Sequence, residues 1–225
     1  IMIDVNSESL VGQVQDALLV VGIDGSGKST FLSNLADGMG FTVLEPTSDE
    51  EAKKFKQATI DTPVTEEIVN QREAIYTRLN SLYARDVSKR IKNGEKVACT
   101  GNSLVTGLSH SVMRQVIGCD MRDHHTKTVV NWVNVSSDLP GAIAFTYAPF
   151  NTIIARIIER QRDGQDLERF WGFNSPLFLG IYQDAWHQAI ATIREHTDIA
   201  CIEFDTSVLS PEKMLEIFKQ RNDFK

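Results

Sequence analysis

Leu18 to Val21 is a run of four apolar residues that stops at Gly22, and four similar runs recur along the chain of 225 residues. Phe41 to Leu44, Val97 to Thr100, Ala142 to Tyr147 and Ile199 to Phe204 are short, apolar and bounded by glycine, proline or polar residues. That is the pattern of strands buried on both faces. Between them, apolar positions recur at helical spacing. Phe31, Leu32 and Leu35 give a helix that stops at Gly38-Met39-Gly40. Residues 47–57 are polar and read as an exposed turn or short helix. Thr62 and Pro63 predict the N-cap and first residue of a long helix to Gly94, with Ile68, Ile75, Leu79, Leu82, Val87 and Ile91 as its inner stripe. Further helices are expected at Leu104 to Ile117, at Thr128 to Val135 and along Ile153, Ile154, Ile157 and Ile158. Two more begin at Ser175-Pro176 and Ser210-Pro211, the first turning Phe178, Tyr182, Ala185, Ala189 and Ile193 inward. Strand and helix therefore alternate through five rounds, which predicts an α/β fold with a parallel sheet between two helical layers. Residues 1–16 read as a loose arm, and no repeat or linker divides the chain, so 1–225 is expected to be one domain.

The turn after the first strand carries the chemistry. Gly22 to Ser29 fits G-x-x-x-x-G-K-[ST], placed between a buried strand and a helix as a phosphate-binding loop requires. Gly22, Gly25 and Gly27, with Asp24 and Ser26 between them, let backbone N–H groups converge on phosphate oxygens at a helix N-terminus. Lys28 reaches the β/γ oxygens, the Ser29 hydroxyl ligates Mg²⁺, and Thr30 continues the first helical turn. ATP and Mg²⁺ are the expected cofactors. Downstream, Arg156, Arg160, Arg162 and Arg169 fall within one stretch of mixed charge. This is either a solvated face or, given the phosphate loop, a lid over about residues 159–174. In the lid reading Arg160 and Arg162 close on the transferring phosphoryl group, with Arg156 beside the cofactor. Tyr76, Asn80 and Tyr83 share a face of the long helix, either lining a pocket or widening the core stripe. His124-His125 has no third ligand at metal spacing and reads as solvated.

Composition adds exclusions. A net charge of −7 disfavours a broad nucleic-acid-coating surface. Three widely spaced cysteines, Cys99, Cys119 and Cys201, suggest reduced thiols and a cytoplasmic setting. No apolar run approaches the length of a membrane span, and no signal peptide is expected.

On these residues the chain resembles the thymidylate kinases. GIDGSGKST is similar to their phosphate loop, and Glu45-Pro46 to the Glu-Pro that follows their second strand. DLERF with FLGIYQDAW resembles their lid and the helix beyond it, and IACIEFDTS their last strand and adenine-side loop. The resemblance implies a P-loop nucleoside-monophosphate-kinase fold with sheet order 2-3-1-4-5. It also implies Tyr76 stacked on a pyrimidine, Asp24 near the sugar 3′-hydroxyl, and a homodimer. The departures cluster at the acceptor. The family's Asp-Arg pair at the end of strand three falls on Thr100-Gly101-Asn102, and two further arginines fall on Leu44 and Asn80. An acceptor phosphate needs charge-assisted partners, which Arg78, Arg85 or a lid arginine would have to supply. Glu45 also resembles the general base of deoxynucleoside kinases, whose lids carry an R-x-R like Arg160-Gln161-Arg162; otherwise it is an exposed strand-end carboxylate.

The expectation is an ATP-dependent phosphotransferase for a pyrimidine deoxynucleotide or derivative, with Asp24, Glu45, Tyr76, Asn80 and Asn102 at the acceptor. The first alternative is a kinase for a hydroxyl, on a deoxynucleoside or on a modified pyrimidine such as 5-hydroxymethyluracil in phage DNA. Asp24 weighs against DNA, because a 3′-oxygen within a strand carries no free hydroxyl. The second alternative is a catalytically silent nucleotide-binding module. A GTPase is disfavoured by the absence of N-K-x-D.

Overall fold

The computed structural model describes residues 17–45, 50–59, 62–119, 121, 124–136, 139–162 and 175–222, apart from the Lys56 side chain. Five parallel strands stand in the order β2-β3-β1-β4-β5. These are β1 (Ala17–Val21), β2 (Thr42–Leu44), β3 (Val97–Cys99), β4 (Ala142–Tyr147) and β5 (Ala200–Asp205). Leu18 pairs with Ala98 on one side and Ala142 on the other, so β1 is central and its C-terminal end delivers the phosphate loop between two neighbours.

Strand periodicity divides the core. Leu18 and Val20 point to one layer, with α1 (Lys28–Met39) and α8 (Pro211–Asn222). There Phe31, Phe204 and Phe218 interlock above Ala98, Ala142 and Ala144, whose small side chains leave room for three rings. Leu19, Val21, Ile143 and Phe145 face the other layer, which holds α3 (Glu66–Lys92), α4 (Ser103–Val116), α5 (His124–Val135), α6 (Phe150–Arg162) and α7 (Pro176–His196). This second layer is thick, and a cavity opens within it below the phosphate loop.

Most expected elements are present, with informative differences. The polar stretch after β2 is a regular helix, α2 (Glu50–Thr59). The long helix is capped by Thr65, whose side chain accepts from the Ile68 amide at 3.3 Å, rather than by Thr62. The Thr62 hydroxyl instead donates back to the Ala58 carbonyl at 3.3 Å. Leu82, placed in the inner stripe by periodicity, is 53% exposed. Tyr83 turns inward instead and donates its hydroxyl to the Leu44 carbonyl. The helix start expected at Thr128 moves back to His124. Ser175 caps α7 as expected, accepting from the Phe178 amide at 3.2 Å. Cys99 and Cys201 are buried and Cys119 is exposed, with no disulfide among the described residues. Among the described residues, no helix is long and apolar enough to cross a membrane. The arm at 1–16, Pro46, and lid residues 163–174 with Arg169 lie outside the described residues.

Candidate active site

Gly22 sits at φ 146°, and a Cβ there would lie 2.2 Å from the Thr146 carbonyl oxygen. The loop is thereby pressed against the end of β4 at a point only glycine allows. Gly25 and Gly27 adopt φ of 80° and 94°, so the chain reverses hand twice before α1 begins. Ser26 is fully buried, and its hydroxyl lies 2.9 Å from the Thr146 hydroxyl, which in turn donates to the Val21 carbonyl at 3.2 Å. The Ser26 amide donates to the Ile23 carbonyl at 3.1 Å, and the first intrahelical bond runs from the Phe31 amide to the Gly27 carbonyl. The Lys28 to Thr30 amides precede that bond at the positive end of the helix dipole. Lys28 curls over the loop, donating to the Gly22 and Ile23 carbonyls at 2.9 and 2.8 Å, with Asp24 3.7 Å from its ammonium.

Beside this loop opens a cavity of about 330 Å³. Gly22, Asp24, Lys28, Ser29, Glu45, Thr100 and Gly101 line it on the side of the strand ends. α3 contributes Arg72, Tyr76 and Asn80, while α4 and α7 contribute Met113, Phe178, Tyr182 and Trp186. The volume and the mix of apolar wall with a few polar groups suit a small organic ligand. Asp24, Lys28, Ser29, Glu45, Tyr76 and Asn80, expected at the site from sequence, are therefore brought together.

Asn80 is buried and donates from Nδ2 to the Thr106 hydroxyl at 2.8 Å. Its Oδ1 is buried with no hydrogen-bond partner among the described residues. Tyr76 presents a ring face to Arg72, whose guanidinium carbon lies 4.3 Å from the ring centroid. Arg72 Nη1 is 3.0 Å from Nε2 of His110. Burial lowers the Arg72 pKa, opposed by Tyr76, Tyr182 and Asp24. Burial, reinforced by Arg72 and Arg114, pushes His110 down to about 3, so its imidazole is neutral and accepts from Arg72. Burial also pushes the Tyr182 phenol up to about 12.

Other candidates sit elsewhere. Asn102 caps α4, accepting from the Val105 amide at 3.0 Å, and lines a second cavity of about 100 Å³ beneath the first. Asn80 and Gly101 line both spaces. Arg160 and Arg162 occupy the last turn of α6 and are not among the described residues lining the larger cavity. Arg156, on the same helix, is fastened to the loops: it donates to the Gly25 carbonyl at 3.1 Å and to Thr206. Thr30 is exposed and lies outside the described lining. Arg78 pairs with Glu51, and exposed Arg85 lines a shallow groove on the outer face of α3. The His125 ring nitrogens lie 2.7 Å from the Ser111 hydroxyl and 3.0 Å from Gln115 Oε1.

Arg72 in the cavity wall and His110 behind it are among the residues that sequence reasoning missed. The available signal was spacing: Arg72 precedes Tyr76 by one helical interval, as Asn80 follows it.

No protein-family model and no curated protein matches the chain by sequence. Solved structures do match in fold. The deoxyadenosine kinase from M. mycoides, with products dCMP and a flexible dCDP bound, superposes with a TM-score of 0.66 at 16% identity over 92% of this chain and 98% of that one. The same kinase with dATP gives 0.63 at 16% identity, over 92% and 99% of the two chains, and with dCTP 0.60 at 16%, over 92% and 100%. The chain has a P-loop kinase α/β fold. Nothing in these likenesses singles out the thymidylate kinases.

Proposed function

We propose that the chain is an ATP-dependent kinase that phosphorylates a hydroxyl of a pyrimidine deoxynucleoside. One observation carries the reading: Lys28 and Ser29 of the phosphate loop and the carboxylate of Glu45 line the same cavity as Tyr76 and Asn80, and the end of β3 offers it only Thr100 and Gly101. A hydroxyl acceptor needs a base, whereas an acceptor phosphate needs cations, and the strand ends supply the former. The dCMP that the M. mycoides kinase holds as a product agrees with this class of acceptor.

In the proposed step the Glu45 carboxylate takes the acceptor's hydroxyl proton as that oxygen bonds to the γ-phosphorus. The bond to the β,γ-bridging oxygen breaks, and ADP leaves. Lys28 exchanges its two loop carbonyls for phosphate oxygens. Tyr76 offers a platform to the base and Asn80 an amide to its edge, while Asp24 lies beside the sugar. The lining fits Mg²⁺ brought in with the nucleotide: the Ser29 hydroxyl would hold it, and no acid stands at Thr100 or Gly101 to add to it. The ion's contribution when bound is to offset charge on the β,γ oxygens. Arg160 and Arg162 are proposed to approach from the lid.

A second reading, transfer to a pyrimidine monophosphate, is favoured by Arg72 in the cavity wall. ATP labelled on the γ-phosphate, offered in parallel to thymidine, deoxycytidine, dTMP, dCMP and 5-hydroxymethyluracil DNA, decides between them. Labelled monophosphate supports the proposal, labelled diphosphate the second reading, and counts retained in polymer the DNA alternative. ATP binding without any labelled product would leave a silent nucleotide-binding module.

A further inference from the structure

Arg72 and Lys28 are the cations among the described residues that line the acceptor cavity, and Lys28 belongs to the phosphate loop. The arginines that sequence offered as substitutes are not in this described lining: Arg78 pairs with Glu51, Arg85 lines the outer groove, and Arg160 and Arg162 lie in the last turn of α6. We infer that Arg72 is the acceptor-side cation of this site and that His110 is the residue that positions it. The inference rests on the kinase reading and adds to it the residue that grips the acceptor.

A guanidinium donates from five N–H groups and accepts from none, so what it meets on an acceptor must offer lone pairs, as a base carbonyl or a phosphate does. Its value as a reader depends on a fixed plane and a fixed rotation. Stacking over Tyr76 at 4.3 Å sets the plane, and the 3.0 Å contact with His110 Nε2 sets the rotation. His110 is 4% exposed, between Ser109 of the cavity wall and Ser111, and cannot swing away without disturbing α4. Because it is neutral, it fixes Arg72 without cancelling its charge, which a carboxylate in that place would do. Arg72, Tyr76 and Asn80 follow one another at four-residue intervals along α3, so a planar acceptor lying against that stripe meets a donor, a ring and an amide in turn.

Calorimetry with thymidine and with dTMP, in the absence of ATP, tests this without requiring turnover. Arg72→Lys keeps the charge but loses the planar fork, and is expected to weaken acceptor binding about tenfold while ATP affinity stays within about twofold. His110→Phe should produce a similar loss, and His110→Gln, which restores an acceptor atom, should recover most of it. Loss with both ligands identifies a base oxygen, and loss confined to dTMP identifies phosphate; either upholds the assignment. Arg72→Gln, with near-ultraviolet circular dichroism on every variant, guards against a fold defect. Unchanged binding by both Arg72 variants, or an equal fall in ATP affinity, overturns it. If the wild-type protein binds neither ligand, the kinase reading fails too, whereas wild-type binding with indifferent variants sinks this inference alone.

Discussion

Arg156 grips Thr206 from two sides, donating Nη1 to its hydroxyl at 2.8 Å and Nη2 to its carbonyl at 2.7 Å. The same Nη1 reaches the Gly25 carbonyl, and the Thr206 hydroxyl lies 3.0 Å from the Ser26 carbonyl and 3.1 Å from that of Tyr147. A helix, the phosphate loop and the turn after β5 are therefore tied through one guanidinium. Arg156→Ala should raise the KM for ATP about tenfold or more, since hydrogen bonds to charged groups contribute about 1.5–3 kcal/mol each. The acceptor KM should change little, and steady-state kinetics with each substrate varied in turn would check this.

Two glycines with positive φ should respond unequally to alanine. At Gly22 the added methyl meets the Thr146 carbonyl at 2.2 Å, whereas at Gly40, φ 70°, nothing lies within 4 Å. Gly40→Ala should cost about 1 kcal/mol of backbone strain. Gly22→Ala should cost more than about 3 kcal/mol or prevent folding. Urea unfolding of both proteins provides the comparison.

Removing the Lys28 ammonium should abolish turnover while leaving the fold. Lys28→Met is expected to lower kcat at least about a hundredfold, the scale of losing a preorganised electrostatic group. Its circular dichroism spectrum should match the parent's, because among the described residues the ammonium hydrogen-bonds only carbonyls of the loop itself, Gly22 and Ile23, and Gly22 lines the open cavity.

Acid should destabilise the protein partly through His110. Its folded pKa, pushed down to about 3, lies below the ordinary histidine value of 6.5, so between those values the unfolded chain binds the extra proton. Stability from this group is therefore present above pH 6.5 and falls as pH drops towards 3, by up to about 1.4 kcal/mol per pH unit. His125, lowered by burial and His124, acts in the same direction. Urea midpoints from about pH 7.5 to about 4.5 should show a shallower fall in His110→Gln.

Tyr83 joins the middle of α3 to the strand end that carries Glu45, through its bond to the Leu44 carbonyl. Tyr83→Phe should cost about 1 kcal/mol in stability. Under the proposed mechanism it should also lower kcat more than it raises the KM for ATP, because Glu45 is the adjacent residue.

The sheet was legible because its strands carry their burial in short apolar runs; Ala142 to Tyr147 forms β4 with the ends expected from sequence. The phosphate loop was legible because φ above zero demands glycine at fixed places. The α3 wall of the cavity was harder to read. Arg72 on an amphipathic helix looks like any solvated cation, and only the packing of α4 against α3 brings His110 to it. Leu82 failed for the complementary reason: helical spacing nominates both it and Tyr83, and the Leu44 carbonyl gives the tyrosine a polar partner inside. Thr62 was the cap expected from sequence; its hydroxyl bonds back to Ala58, and Thr65 caps the helix instead.

Asn80 is a partition as well as a polar group, since it and Gly101 are shared by the larger chamber and the smaller annex of about 100 Å³ behind it. Shortening that one side chain to alanine would knock the rooms into one. The altered protein would then admit ring substituents that the parent turns away, giving a chemical handle by which an inhibitor could address the engineered copy and spare the original.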